Sequence, residues 1–135
     1  MSGQRLANES AKLVNEKKYD LEDRLIDYAI SIIEIVESLP NTKFANQIGS
    51  QLIRCGTSPS LNYGEAQSAE SGNDFIHKLK IVLKELRESL VCIKMIIREP
   101  LLTHEKMNPI LRESNELISI FVTSINTARN NRMKK

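Results

Sequence analysis

A chain of 135 residues that is 41% hydrophobic but only 4% aromatic, with no Trp, makes one domain with an aliphatic core, long enough to be buried without disulfide or metal staples. The net charge of +2 is too small to declare a nucleic-acid binder from the total. The charge is uneven, however: residues 1–67 hold seven Lys/Arg against nine Asp/Glu, and residues 68–135 hold twelve against eight, so a basic second half permits a polyanion partner without demanding one.

The opening MSGQRLANESAKLVNEKKYD is polar throughout and lacks the charged-then-apolar pattern of an export signal. Residues 1–19 read as an N-terminal polar extension, with a short helix expected around Leu6–Val14. No apolar run approaches the roughly 18 residues of a membrane span, so no membrane partner and a cytoplasmic location are expected. Cys55 and Cys92 fall in different helices with no CxxC spacing. They read as buried thiols in a reducing compartment rather than as a disulfide.

The first helix is expected from about Asp20 to Leu39, with Leu21, Leu25, Tyr28 or Ala29, Ile32, Val36 and Leu39 on one face. Asp20 can cap it, Glu22 and Asp23 suit the positive end of the helix dipole, and Pro40 ends it. Asn41 or Thr42 then caps a second helix that buries Phe44, Ile48, Leu52 and Cys55. The stretch RCGTSPSLNYGEAQSAESGNDF, residues 54–75, interrupts it with glycines and Pro59. Proline lacks the ladder donor, yet Leu61, Asn62, Glu65, Ala66 and Ala69 keep helical spacing. The expected outcome is a kink at Gly56–Pro59 and a restart, with Ser58 as cap and Pro59 at the first helical position.

A third helix, capped by Asn73, carries a seam of Phe75, Leu79, Val82, Leu86, Leu90, Ile93 and Ile97 and closes at Pro100. A fourth starts at Thr103 with Ile110 or Leu111, Leu117 or Ile118, Phe121, Ile125 and Ala128. It ends in RNNRMKK, of which residues 132–135 read as a basic tail. No segment alternates with period two. The expected fold is all-α: an antiparallel up-down-up-down four-helix bundle over residues 20–131, with a kinked second helix.

Opposite the third helix's seam lie Lys80, Lys84, Arg87, Val91, Lys94 and Arg98, at steps of 4, 3, 4, 3 and 4. The stripe reads either as a solvated helix face or as a track for phosphates, where cations displace condensed counterions. It has no aromatic ring for stacking bases, so any binding is expected to follow shape and charge. Arg129 and Arg132 would extend it, with Lys134 and Lys135 beyond.

A second constellation comprises Arg54, Asn62, Glu65, Lys78 and Glu85, which read as a structural polar network fixing the second helix against the third. The competing reading, an acid–base pair, lacks a nucleophile. Asp74 and His77 are three apart, but no repeated Glu-x-x-His pairs accompany them, so neither a metal nor any other cofactor is expected. Exposed-side aliphatics outside the minimal seams, Ile26, Ile33, Ile35, Ile81 and Val91, point to self-association.

QLIRCGTSPSLNYGEA followed by NDFIHKLKIVLKELRESL resembles the bacterial four-helix-bundle family named after proteins encoded within 23S rRNA intervening sequences. The matching positions are Gln51, Leu52, Arg54, Ser58, Asn62, Glu65, Ala66, Phe75, Ile76 and Leu79. The likeness runs from about Tyr19 to Ile97, and Leu39-Pro40 falls where the family turns. Cys55 stands where a Ser is usual, and Ser58-Pro59-Ser60-Leu61 replaces a more helical run. An aromatic residue often found in the second half of the third helix is replaced here by Val91 and Cys92.

The resemblance implies a homopentamer, a barrel of bundles without an assigned reaction. A related branch, the accessory variability determinant of diversity-generating retroelements, implies a nucleic-acid partner and a reverse transcriptase. The expected function is therefore a non-enzymatic oligomeric scaffold or adaptor that binds RNA or DNA through basic surfaces. The alternative is a protein-binding module with no nucleic-acid role.

Overall fold

The structure, a computed structural model, describes residues 20–133; the extension before Asp20, with its expected short helix, lies outside them. Asp20 accepts a hydrogen bond from the Asp23 amide at 3.3 Å and starts α1, Leu21–Glu37. Tyr28 and Ala29 are both buried, together with Leu25, Ile32 and Ile35. Ile35 was expected outside the seam and is inside the core, whereas Val36 and Leu39 lie half-buried at its edge.

Thr42 caps α2, Lys43–Gln67, through the Ala45 amide at 3.2 Å. Phe44 does not enter the core as expected: it is exposed, and its neighbour Ala45 is buried in its place. The expected restart at Ser58 is also absent, because α2 runs unbroken through Pro59. An interior proline costs about 3 kcal/mol, but each fully buried large apolar side chain contributes about 1.5–3 kcal/mol. The face made by Leu52, Cys55, Pro59, Tyr63 and Ala66 is buried on both sides of the proline, and that burial outweighs the missing donor. Thr57 and Ser60 donate their hydroxyls back to the Ile53 and Thr57 carbonyls at 2.6 and 2.8 Å. Ser58 caps nothing; its Oγ accepts from Asn62 Nδ2 at 3.2 Å.

Gly56, read in sequence as a ladder breaker, marks a close approach of helices. A Cβ there would stand 2.8 Å from Ile32 Cγ1 and 2.9 Å from its Cγ2, so α1 sits against α2 only because that side chain is missing.

α3 spans Gly72–Arg98 and is capped by Ser71, whose extended backbone aims its hydroxyl at the Asp74 amide, 3.0 Å away. Asn73, the expected cap, is already inside the first turn. α3 buries a broad arc, because α2 flanks it on one side and α4 on the other. Leu79, Val82, Leu86 and Ile93 form its centre, joined by Ile76, Cys92 and Ile96, while Phe75, Leu90 and Ile97 are half-buried.

Thr103 caps α4, His104–Met133, at the Lys106 amide. Its inner residues are Met107, Ile110, Leu117, Phe121 and Ile125, with Leu111 and Ile118 at the edge. Tyr63 and Phe121 meet edge to face, centroids 5.7 Å apart. The helix backbones are adjacent for α1 and α2, α2 and α3, α3 and α4 and, more sparsely, α4 and α1, while the Tyr63–Phe121 contact reaches across the α2–α4 diagonal. With short connections, that ring of neighbours is an antiparallel up-down-up-down bundle. Among the described residues there is no strand, and no helix is long and apolar enough to cross a membrane.

Candidate nucleic-acid interface

The wide buried arc of α3 leaves one outer face, and steps of three and four keep that face in register along the helix. Lys80, Lys84, Arg87, Lys94 and Arg98 are all exposed on it, with Val91 among them. Lys80 to Arg98 covers about 27 Å at 1.5 Å per residue. None of the five cations pairs with a carboxylate among the described residues, where the ion pairs are made by Arg24, Arg54 and Lys78. A shallow depression of about 460 Å³ lies over Lys80, Lys84, Arg87 and Val91. Beside it, toward α2, a second groove of about 430 Å³ is walled by Phe44, Ile48, Val91 and Met95.

Arg129 and Arg132 are exposed near the end of α4. The Arg132 stem lies over the start of α3, where a Cβ on Gly72 would come within 3.1 Å of its Cδ. That places Arg132 at the Lys80 end of the stripe. Lys134 and Lys135 lie outside the described residues.

The second constellation divides into three rungs between α2 and α3. Asn62 Nδ2 donates to Glu85 Oε1 at 2.7 Å, and Glu85 is buried. Lys78 Nζ meets Glu65 Oε2 at 2.9 Å. Arg54 Nη2 meets Glu88 Oε2 at 3.0 Å, so its bonded partner is Glu88, one turn beyond Glu85. Sequence reading omitted Glu88, although its spacing from Glu85 puts both on the same side of the helix. The neighbouring carboxylates raise the Arg54 and Lys78 pKa values, Glu88 for the first and Glu65 for the second.

Sequence reading also missed the clamp that closes α1 onto α4. Arg24 donates from Nε and Nη2 to Glu113 at 2.9 and 2.7 Å and reaches Glu116 at 2.8 Å; these bonds, led by Glu113, raise its pKa. Deeper in, Tyr28 Oη and Ser114 Oγ share a hydrogen bond at 2.7 Å, and burial pushes the phenol up to about 12. Cys55 on α2 and Cys92 on α3 are free and buried. Cys55 Sγ donates to the Leu52 carbonyl at 3.8 Å, and the interaction between the two thiols lowers the Cys55 pKa and raises that of Cys92.

No group of three or more His, Cys, Asp or Glu donors converges among the described residues; Asp74 is half-buried at the start of α3 and His77 is exposed. Every buried side-chain N or O atom among them has a hydrogen-bond partner. Among the described residues the buried polar groups are thus hydrogen-bonded within and between helices, and exposed cations without a carboxylate partner lie outside, on α3.

An antiparallel four-helix bundle with polar rungs between α2 and α3 and a cationic outer face on α3 is the class that fold and surface define. Within that class, the chain belongs to the 23S rRNA-intervening sequence protein family, whose sequence model matches residues 6–123. It is similar to a crystal structure of a protein with unknown function from the S23 ribosomal protein family of Bacteroides thetaiotaomicron VPI-5482. The two are 32% identical with a TM-score of 0.72, over 77% of this chain and 96% of that one. None of the curated proteins matches this chain.

Proposed function

We propose that this protein is a non-enzymatic oligomeric scaffold or adaptor of the cytoplasm that contacts nucleic acid through its basic surfaces. The observation that carries the reading is the row of five exposed cations on α3, without a carboxylate partner among the described residues, with Arg129 and Arg132 at the end of α4. Cations left free in this way gain by releasing counterions from a phosphate backbone. The face has no aromatic side chain to stack on bases, so the binding is non-specific in sequence and steep in salt. A symmetric oligomer, a pentamer by family likeness, repeats the basic surfaces in every subunit, Arg129 and Arg132 among them, so weak contacts add. A reverse transcriptase, as in the retroelement accessory branch, is the protein partner this reading favours.

A second reading, a protein-binding module without nucleic acid, draws on the apolar groove of Phe44, Ile48, Val91 and Met95 beside the stripe. Binding to structured RNA and duplex DNA at two salt concentrations separates the two. The nucleic-acid reading expects affinity at low salt for both ligands, falling steeply as salt rises. Absence of binding at low salt would leave the protein-module reading.

A further inference from the structure

α1 and α3 stand on a diagonal of the bundle with their backbones not adjacent, so their outer faces look in opposite directions. The outer face of α1 carries Asp23, Asp27, Glu34 and Glu37, all exposed, around Ile26 and Ile30. Those two isoleucines are 44% and 50% exposed. The one base of α1, Arg24, is turned to Glu113 and Glu116 on α4, so the acids have no counter-charge on their own helix. Crowding is felt there: the Asp23 carboxyl is raised first by its Asp20 neighbour, with Glu22 and Asp27 adding.

The outer face of α3 is built the same way with the opposite sign. Lys80, Lys84, Arg87, Lys94 and Arg98 surround Val91 and Met95, which are 52% and 46% exposed and, like Ile26 and Ile30, one turn apart. The acidic face is about 20 Å long and the basic one about 27 Å.

We propose that the two faces are halves of one joint between copies of this chain. The acidic face of α1 on one copy seats on the basic face of α3 on the next, with Ile26 and Ile30 packed against Val91 and Met95. Charge complementarity selects the occupant. Exposed ion pairs alone contribute little, but an apolar centre inside a polar rim is how stable interfaces are built, and opposite fields orient the encounter. Because the faces lie on opposite sides, one partner cannot cover both. The contact is head-to-tail and repeats from copy to copy until a ring closes. The inference rests on the oligomer of the preceding reading and is independent of nucleic acid, which would compete for the same α3 cations.

Light scattering on the full chain tests it, with circular dichroism to check that each variant is folded. One variant carries Asp27→Lys, Glu34→Lys and Glu37→Lys; the other carries Lys84→Glu, Arg87→Glu and Lys94→Glu. Wild type is expected at a multiple of 15.3 kDa and each variant alone at the single-chain mass. An equimolar mixture restores a multiple, as does one chain bearing both sets, because each reversed face again meets its opposite. The α1 variant keeps its binding to structured RNA while losing assembly, which separates this joint from the nucleic-acid reading. A wild type of single-chain mass at low salt would overturn the joint, as would a helical α1 variant of unchanged mass or a mixture that stays at single-chain mass. Loss of assembly in the α3 variant alone would overturn it too, assigning that face to a polyanion or an unrelated protein.

Discussion

Toward α2, helix α3 presents Lys78, Glu85 and Glu88, each bonded to a side chain across the interface. Away from the core it presents Lys80, Lys84, Arg87, Lys94 and Arg98, none bonded to a carboxylate among the described residues. Both sets are charged residues on one helix, yet only the first contributes to the register of α2 against α3. Burial decides which of those contributions is large. Glu85 is buried and depends on Asn62, whereas the Arg54–Glu88 and Lys78–Glu65 rungs meet water, which screens them. Charge pointing inward is therefore structural, and charge pointing outward is available to a partner.

Removing the donor to Glu85 should give the largest effect. Asn62→Ala leaves a buried carboxylate without its bond and should cost about 1–3 kcal/mol, read as a lowered midpoint in urea with an unchanged slope. A midpoint equal to wild type would mean that the rung is ornamental and the contrast between the two sides of α3 is false.

The α1–α4 seam offers a neutral counterpart. Tyr28→Phe removes the bond to Ser114, but Ser114 keeps its own donation to the Ile110 carbonyl at 2.7 Å, so no donor is orphaned and the loss should be about 1 kcal/mol. The pH dependence has a definite sign. Burial raises the Tyr28 pKa from 10.0 to about 12 in the folded protein, so folding favours the protonated phenol. Its contribution is fully present below pH 10 and is lost as pH rises through 12. Wild type should therefore lose more stability than the Phe variant between those limits in urea melts, and parallel pH curves would argue against the buried phenol.

Much of this architecture was legible in sequence because it is local. The steps of three and four on α3 and α4 and the caps at Asp20 and Thr42 depend on near neighbours. Arg54, Asn62, Glu65, Lys78 and Glu85 could be recognised as a polar network between the second and third helices because they sit beside the apolar seams. What was illegible depends on partners distant in the chain. Pro59 carries a local cost of about 3 kcal/mol, offset by burial that only the other helices provide. Gly56 reads as a breaker until Ile32 is brought against it. The Arg24–Glu113 clamp joins residues 89 positions apart, and neither helix alone shows which face of the other it will meet. Phe44, an aromatic at the start of a helix, reads as core, although the face buried there turns one residue to Ala45.

The claim that outward charge on α3 serves a partner while inward charge serves the fold is tested most directly by Lys80→Glu/Lys84→Glu/Arg87→Glu. Its melting temperature and its affinity for structured RNA across a salt series would be measured side by side with wild type. Compared at a dilution and salt at which both proteins are single chains, stability should stay within about 0.5 kcal/mol, as for exposed surface substitutions. The log–log slope of affinity against salt should become shallower by roughly one unit for each phosphate that the variant no longer neutralises. An unchanged slope, or a large fall in the melting temperature of the single chain, would contradict the account.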